Sequence, residues 1–374
     1  MTRVFFSAGE SSGDLHGGNL IRALRALDPA IRCEGIGGQR MADAGMELRY
    51  DLAERAIMGF TEVLRSFALI RRLFNDTVEG LRATPPDALV LIDYPGFNMR
   101  LGKKARELNI PVVYYISPQV WAWKKGRVYT LAGFVDKMLV ILPFEKEIYD
   151  RVKLECRFVG HPLIDHIRSV PIQGTLADPD RPLVGLLPGS REQEIGRILP
   201  VMLDVARALR ETDPALRFVV PCVDKLREAQ VRNIAGDFPL ETVIDQTYEV
   251  LHAARVCLVT SGTATVETAL FGVPFVVLYI TSAPTYFLAR ILVKIEMIAM
   301  VNILAGKKIV PEFIQFDARA NAILPVVREL LEDSPRRSTM IQELERIQEV
   351  LGSEDASATA AQEVLHIAKA GAHE

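Results

Sequence analysis

The stretch that decides the fold is VCLVTSGTATVETALFGVPFVVLYI, residues 256–280. It opens on a short apolar run with the length and β-branched character of one buried strand. A Ser-Gly turn follows, then a segment of helical period that stops at Gly272 and Pro274 before a second apolar run. Strand, glycine turn, helix and strand in direct succession make the repeating unit of a parallel α/β sheet.

The same alternation runs outward in both directions. Upstream in the second half, PLVGLLPG (182–189), LRFVVPC (216–222) and LETVID (240–245) read as strands. A first series places strands at 3–8, 32–36, 87–93, 111–117, 136–142 and 156–159, with helices at about 17–28, 62–83, 97–108 and 121–132. The two series are alike in kind and show no sequence repeat. Between them RSVPIQGTLADPDRP (168–182) is rich in Pro, Gly and Asp and lacks periodicity, which is the signature of a linker. The spacing therefore predicts an α/β fold of two Rossmann-like domains, 1–167 and 183–345, facing a cleft, with a helical C-terminal tail over 346–374. Beyond about residue 318 the chain is helical and charged, and no strand remains for that tail to cover.

Composition agrees with two domains. The chain has 374 residues, 49% of them apolar, enough for two ordinary cores. Its formal charge of -3 is spread without long blocks of one sign, which gives no reason to expect nucleic acid. Cys33, Cys156, Cys222 and Cys257 lie far apart, each in or beside an apolar run, and read as core residues of a reducing compartment. The opening MTRVFFSAGE has too short an apolar run for a signal peptide, so a cytoplasmic protein is expected. No window reaches the roughly 18 apolar residues of a membrane span.

Four loops at strand ends carry the chemistry. VFFSAGESSGDLHGG (4–18) lacks the spacing of a dinucleotide fingerprint, and its Glu10, Ser11, Ser12, Asp14 and His16 stand where a pyrophosphate would want bare amides. It suits a sugar or an acceptor phosphate, with Glu10, Asp14 and His16 as candidate catalytic residues alongside Asp93, and with the plainer alternative that Asp14 only caps the next helix. In VLIDYPGFNMRLGKKA (90–105), Asp93 ends an apolar strand, where partial burial raises a carboxyl toward a useful general-base value. Asn98 is expected near the same rim. The bland alternative is that Asp93 only satisfies its own turn. LLPGSREQEI (186–195) sets Gly189, Ser190 and Arg191 at the positive end of a helix, suited to a diphosphate. In the deciding stretch Ser261, Gly262, Thr263 and Thr265 offer donors to phosphate, and Glu267 suits two ribose hydroxyls. Two such turns assign the nucleotide to the second half. Asp178-Pro179-Asp180 makes a poor metal site, and His161 before Pro162 reads either as a member of the cleft or equally as a structural hydrogen-bonder.

Taken together, SAGESSGDLHG, LIDYPGFNMRL, YYISPQVWAW, FVGHPL, LLPGSREQEI, SGTATVETALFGVP and NILAGKKIVPEFIQ resemble the lipid-A-disaccharide synthase family, in the right order over residues 3–316. The resemblance implies the GT-B type of fold and an inverting glycosyltransferase without a metal or other cofactor. Its donor would be UDP-2,3-diacylglucosamine and its acceptor 2,3-diacylglucosamine 1-phosphate. The products would be UDP and the β-1′,6-linked lipid A precursor. The resemblance implies an acceptor-binding first domain, a UDP-sugar-binding second domain and matching residues at Asp93, Arg191, Glu267 and Asn302, and it leaves room for a homodimer. Departures stand at Gly96, where relatives carry a second acid, and at Ile280 and Val301. The competing readings are another UDP-sugar transferase or epimerase of the same fold, or a silent sugar-nucleotide binder.

One further segment bears on location. In FTEVLRSFALIRRLFNDTVEGL (60–81), Phe60, Val63, Leu64, Phe67, Ile70, Phe74 and Val78 share one helical stripe, widened by Leu69 and Leu73 and edged by Arg65, Arg71 and Arg72. That is the build of an interfacial helix, which predicts a peripheral enzyme on the inner leaflet. An ordinary core-facing helix is the alternative.

Overall fold

The computed structural model describes residues 1–52, 63–122, 125–286, 297–352 and 355–371, with only the helical backbone for 63–68 and 371. The chain divides into two compact units, Met1–Asp165 with Leu351–Glu374, and His166–Val350.

The first unit holds seven parallel strands: β1 (Arg3–Ala8), β2 (Arg32–Gly37), β3 (Glu47–Asp51), β4 (Ala88–Ile92), β5 (Val112–Tyr115), β6 (Lys137–Val140) and β7 (Cys156–Phe158). They lie in the order β3-β2-β1-β4-β5-β6-β7. Central strands such as ALVLI of β4 are apolar throughout because helices cover both faces. Val4, Phe6, Val90 and Ile92 face a core built with α1 (Ser11–Leu27), whereas Phe5, Leu89 and Leu91 face a core with α4 (Pro95–Glu107). Strand order reverses between β1 and β4, so α1 and α4 leave the sheet on opposite sides. A crevice opens between two such strand ends.

Helix α1 begins at Ser11, six residues before the period of the sequence suggests, because Gly13, Gly17 and Gly18 weaken the local signal. Gly17 and Gly18 serve contact with α2 (Gln39–Asp43): a Cβ at Gly17 would sit 2.7 Å from Met41 Sδ and one at Gly18 2.9 Å from the Arg40 carbonyl. Strand β3, absent from the apolar pattern, is a charged edge strand. Its Arg49 pairs with the buried Glu34 at 2.7 Å.

Helix α3 (Val63–Ala83) lies against the second of these cores. Leu73 and Leu81 are buried there, Ile70, Phe74 and Val78 pack on it, and Phe74 meets Phe97 edge-on at 5.6 Å. The C-terminal half of the apolar stripe is therefore core, which corrects the expectation of an exposed Phe74. Phe60 lies outside the described residues, as do the side chains of Val63, Leu64, Arg65 and Phe67.

The second unit holds β8 (Leu183–Leu187), β9 (Arg217–Cys222), β10 (Glu241–Ile244), β11 (Ala254–Thr260), β12 (Phe275–Tyr279) and β13 (Glu312–Ile314), all parallel, in the order β10-β9-β8-β11-β12-β13. Its order reverses between β8 and β11. The Pro- and Gly-rich stretch 168–182 is tied into this unit: Gly174 N donates to Glu249 at 2.9 Å and Arg217 donates to the Leu176 carbonyl at 2.8 Å. The helix Ala320–Leu331 stays with the second unit, and the last helix, Ala356–Gly371, belongs to the first. There Ala360, Ala361 and Val364 join the core under β1, and Glu363 pairs with Lys137 at 2.8 Å.

Candidate functional site

The four loops singled out in the sequence leave β1 and β4 in the first unit and β8 and β11 in the second. These are the strands that flank the two order reversals.

Asp93 follows β4 with φ of 44°, and Tyr94 after it has φ of 46°. Two consecutive left-handed residues cost energy unless the surroundings fix them. The Asp93 carbonyl is fixed by Asn98 Nδ2 at 2.8 Å and by the Tyr114 hydroxyl at 2.7 Å. Asn98 also accepts from Ser7 Oγ at 2.6 Å and donates to the Ser7 and Ile92 carbonyls at 3.1 Å each. Asn98 is thus not a rim residue but a fully buried latch between β1 and the turn after β4. The Tyr94 ring lies over Gly9, where a Cβ would come within 2.3 Å of it. Burial and the neighbouring Glu10 push the Asp93 carboxyl up to about 6, against one backbone N–H from Tyr94 that favours its charge. Held there, it is a carboxylate at neutral pH with enough basicity to take a proton.

Glu10 is exposed at the N-cap of α1, beside Asp93. Asp14 has a different place. Its two oxygens accept from the backbone N–H groups of Arg40 and Met41 at 3.1 and 3.0 Å, so its observed partners are the start of α2, as in the capping reading. His16 is buried, near His161. Burial, with His16 adding repulsion, holds the His161 imidazole down at about 3, and its Nδ1 accepts from Leu163 N at 3.3 Å. His161 is the structural hydrogen-bonder of the two readings.

A second carboxyl near Asp93 was not singled out from the sequence. Glu145 stands in the first turn of α6 (Pro143–Asp150), 2% exposed. It accepts from Leu142 N and from Trp121 Nε1, both at 3.3 Å. Burial is the main cause that pushes it up to about 8, with the charge of Asp93 contributing. The only signal in the sequence is the position of Glu145 in PFEK, shortly after β6, as another acid near a strand end.

In the second unit, Gly189 has φ of 104°, and a Cβ there would meet Glu194 Oε2 at 2.4 Å. Arg191 is the N-cap of α8 (Glu192–Thr212), and its guanidinium pairs with Glu194 at 3.0 Å while its side chain stays 81% exposed. Ser190 is exposed beside it. After β11, Gly262 and Thr263 are exposed at the start of α11 (Thr263–Leu270), a helix N-terminus in which the Thr265 N–H already turns back to the Gly262 carbonyl at 3.2 Å. Two donors expected there are engaged elsewhere. Ser261 Oγ donates to the Ile298 carbonyl at 3.1 Å, and its N–H donates to Leu278. Thr265 Oγ1 donates to the Gly262 carbonyl at 2.7 Å. Both shape the turn rather than offer donors to it.

Glu267 is half-buried and accepts from the Tyr248 hydroxyl at 3.0 Å. Burial raises its carboxyl above the ordinary range. Asn302 is fully buried: Nδ2 donates to the Val310 carbonyl at 2.9 Å and to Glu312 at 2.8 Å, and Oδ1 accepts from Ile309 and Val310 N–H. An Asn amide has no further capacity, so Asn302 is a latch for the 306–312 turn, not a nucleotide contact. Among the described residues, no group of three or more His, Cys, Asp or Glu is placed to hold a metal ion. The arrangement offers a tuned base in the first unit and two helix N-termini suited to anionic oxygens in the second.

Comparison with known proteins follows the same lines. The family model described as lipid-A-disaccharide synthetase matches residues 4–366. A lipid-A-disaccharide synthase of Geobacter metallireducens is 40% identical over 98% of this chain and 97% of its own. Among solved structures, the calicheamicin glycosyltransferase superposes with a TM-score of 0.64 at 16% identity over 98% of each chain. A UDP-GlcNAc 2-epimerase from Neisseria meningitidis bound to UDP-GlcNAc gives 0.62 at 12% identity, also over 98% of each.

Proposed function

The chain belongs to the lipid-A-disaccharide synthetase family, and from that premise we propose how its residues divide the reaction. It is a glycosyltransferase of lipid A biosynthesis that joins the diacylglucosamine of a UDP donor to diacylglucosamine 1-phosphate and releases UDP. The epimerase reading loses ground because that likeness, at 12% identity, extends to the fold alone.

Asp93 takes the proton from the primary hydroxyl of the acceptor. The freed oxygen attacks the anomeric carbon from the face opposite UDP, and the bond to the diphosphate breaks with its electron pair leaving on UDP. One displacement inverts the configuration. The growing charge is met by the N–H groups around Gly189, Ser190, Gly262 and Thr263 and by Arg191. The Arg191–Glu194 pair does not oppose this, since an exposed i,i+3 pair contributes only about 0.3–0.5 kcal/mol and yields to a diphosphate. Glu267, braced by Tyr248, takes the ribose hydroxyls. The observation that carries the reading is the half-buried, strand-end carboxyl of Asp93 at the order reversal of its sheet.

Purified protein given both substrates in EDTA is expected to form the disaccharide and UDP at undiminished rate, because amides and a guanidinium meet the leaving charge. Turnover that EDTA abolishes and magnesium restores contradicts this division of roles.

The acyl sugars reside in a bilayer, and no helix among the described residues is long and apolar enough to cross one. The first part of the apolar stripe in the sequence, Phe60, Val63, Leu64 and Phe67, is proposed to dock on the inner leaflet, with Arg71 and Arg72 toward anionic headgroups. Phe67→Ser is expected to release the protein from anionic vesicles without lowering its stability. Phe74→Ser, in the core half, is expected to destabilise it. Unchanged vesicle binding by the Phe67 variant refutes the docking surface.

A further inference from the structure

The stretch NILAGKKIVPEFIQ has no part in the division of roles above, because Asn302 holds a turn and not a nucleotide. The surface of that turn is basic. The helix Met300–Ala305 ends on Gly306 in the left-handed region, with φ of 65°, and Lys307 and Lys308 follow, both exposed. Asn302 fixes the chain just beyond them: its Oδ1 accepts from Ile309 N and Val310 N at 2.8 and 2.9 Å, and its Nδ2 donates to the Val310 carbonyl at 2.9 Å. A fully satisfied, buried amide thus presents two lysines on a rigid turn.

The lysines border a cavity of about 500 Å³ within the second unit, a size that suits a small ligand. The helix Pro335–Leu351 supplies another wall, with Arg336, Thr339 and Glu343. The buried side is apolar. Val310 and Met340 are 1% and 3% exposed there, with Pro311 next to Val310, and Phe275 N seats Met340 by donating to its Sδ at 3.4 Å. Val310 and Pro311 precede β13, whose register sets Glu312 beside Val277, so the cavity lies toward the amino ends of β12 and β13. The turns proposed for the nucleotide leave the carboxyl ends of β8 and β11 in the same parallel sheet, which makes this a separate site.

Charge and shape together select the ligand. Lys307 and Arg346 both pair with Glu343, at 3.0 and 2.6 Å, and Arg336 pairs with Glu329 at 2.9 Å. Lys308 has no carboxylate partner among the described residues. Four cations, Lys307, Lys308, Arg336 and Arg346, therefore gather around two carboxylates. Exposed pairs of this kind are weak and yield to a stronger anion. A guanidinium and two ammonium groups suit the several oxygens of a phosphate. A bare phosphate would leave the apolar side idle, whereas a phosphate with apolar substituents uses both.

We propose that this cavity binds the headgroup of an anionic phospholipid, with Lys307, Lys308 and Arg336 on the phosphate and Val310, Pro311 and Met340 against the glycerol and first methylenes. The second unit thereby has its own hold on the leaflet. The inference rests on the reading of a peripheral enzyme at an anionic leaflet, but not on the stripe of α3.

The probe is a soluble short-chain phosphatidylglycerol, below its micelle concentration, titrated calorimetrically into full-length protein without substrates. Saturable binding is expected. Lys308→Gln and Arg336→Gln are each expected to weaken it about fivefold, the effect of one basic charge near an anionic headgroup, and together about 25-fold. Thr339→Trp keeps every charge and fills the cavity, so it is expected to abolish binding. The double charge variant is expected to sediment less with phosphatidylglycerol vesicles and to turn over detergent-dispersed substrates at the wild-type rate. No binding by wild type, or binding that survives Thr339→Trp, overturns the proposal, as does loss of turnover in the charge variants. Inorganic phosphate that binds as tightly as the phospholipid assigns the cavity to a free anion and overturns the lipid. Wild-type protein that ignores anionic vesicles overturns instead the reading of a peripheral enzyme, and the soluble titration still upholds the headgroup site.

Discussion

Replacing Asn98 by alanine tests whether the base is held by its backbone. The side chain accepts from Ser7 Oγ at 2.6 Å and donates to the carbonyls of Ser7, Ile92 and Asp93 at 3.1, 3.1 and 2.8 Å. At about 1 kcal/mol for each buried hydrogen bond, and somewhat more for groups left unpaired, the loss comes to roughly 3–4 kcal/mol. The catalytic effect has a separate origin. Asp93 and Tyr94 keep left-handed φ values of 44° and 46° only while their carbonyl is pinned. With Asn98 gone, the Tyr114 hydroxyl alone holds it, and the turn relaxes. A displacement of about 1 Å at a reacting group costs on the order of 100-fold in rate. Urea unfolding, steady-state kinetics and calorimetric UDP binding on Asn98→Ala are expected to show a stability loss of about that size, a kcat lower by roughly 100-fold and unchanged UDP affinity, since the turns proposed for the nucleotide belong to the other unit. Wild-type kcat with a stability loss below about 1 kcal/mol would refute the reasoning.

The remaining expectations concern buried titratable groups. Asp14→Asn removes one of the two acceptors at the start of α2, and urea melts are expected to show a loss of about 1.5–3 kcal/mol with turnover of the folded enzyme within a few-fold of wild type. A collapse of kcat without loss of stability would return Asp14 to the catalytic set. His161 must gain a proton on unfolding, because its folded value of about 3 lies below the ordinary 6.5. Its contribution to stability is present above pH 6.5 and is lost as pH falls toward 3, and His161→Asn should flatten that slope in melts across the range. Glu145 has the opposite sign: its carboxyl is raised from 4.5 to about 8, so stability declines as pH rises through that window, and Glu145→Gln should remove the decline.

The sheets were legible because both are parallel and covered on two faces, which leaves continuous apolar runs such as ALVLI and FVVLY. Strand β3 was not, because an edge strand satisfied by Arg49 and Glu34 has no need of apolar alternation. The early start of α1 was hidden by glycines that serve its packing on α2. In the site, strand-end position picked out Asp93, Gly189 and Gly262. It could not tell a ligand donor from a structural one: Ser261, Thr265 and Asn302 have the right chemistry at the right ends, and their donors are taken up by partners that only folding brings near, while Asp14 accepts from the start of α2. Glu145 was missed for the converse reason. Nothing in PFEK tells that its carboxyl is buried with Trp121 and Asp93 rather than solvated in a first turn.

The central claim is that Asp93 removes the acceptor's proton while the second unit alone holds the nucleotide. The direct test is kcat of Asp93→Asn with both acyl-sugar substrates, measured beside the affinity of the same protein for UDP. Turnover is expected to fall by at least about 100-fold with UDP affinity unchanged, and the wild-type acid limb near pH 6 to be absent from the residual turnover. Turnover near wild type, or a loss of UDP binding that parallels the loss of turnover, would contradict it.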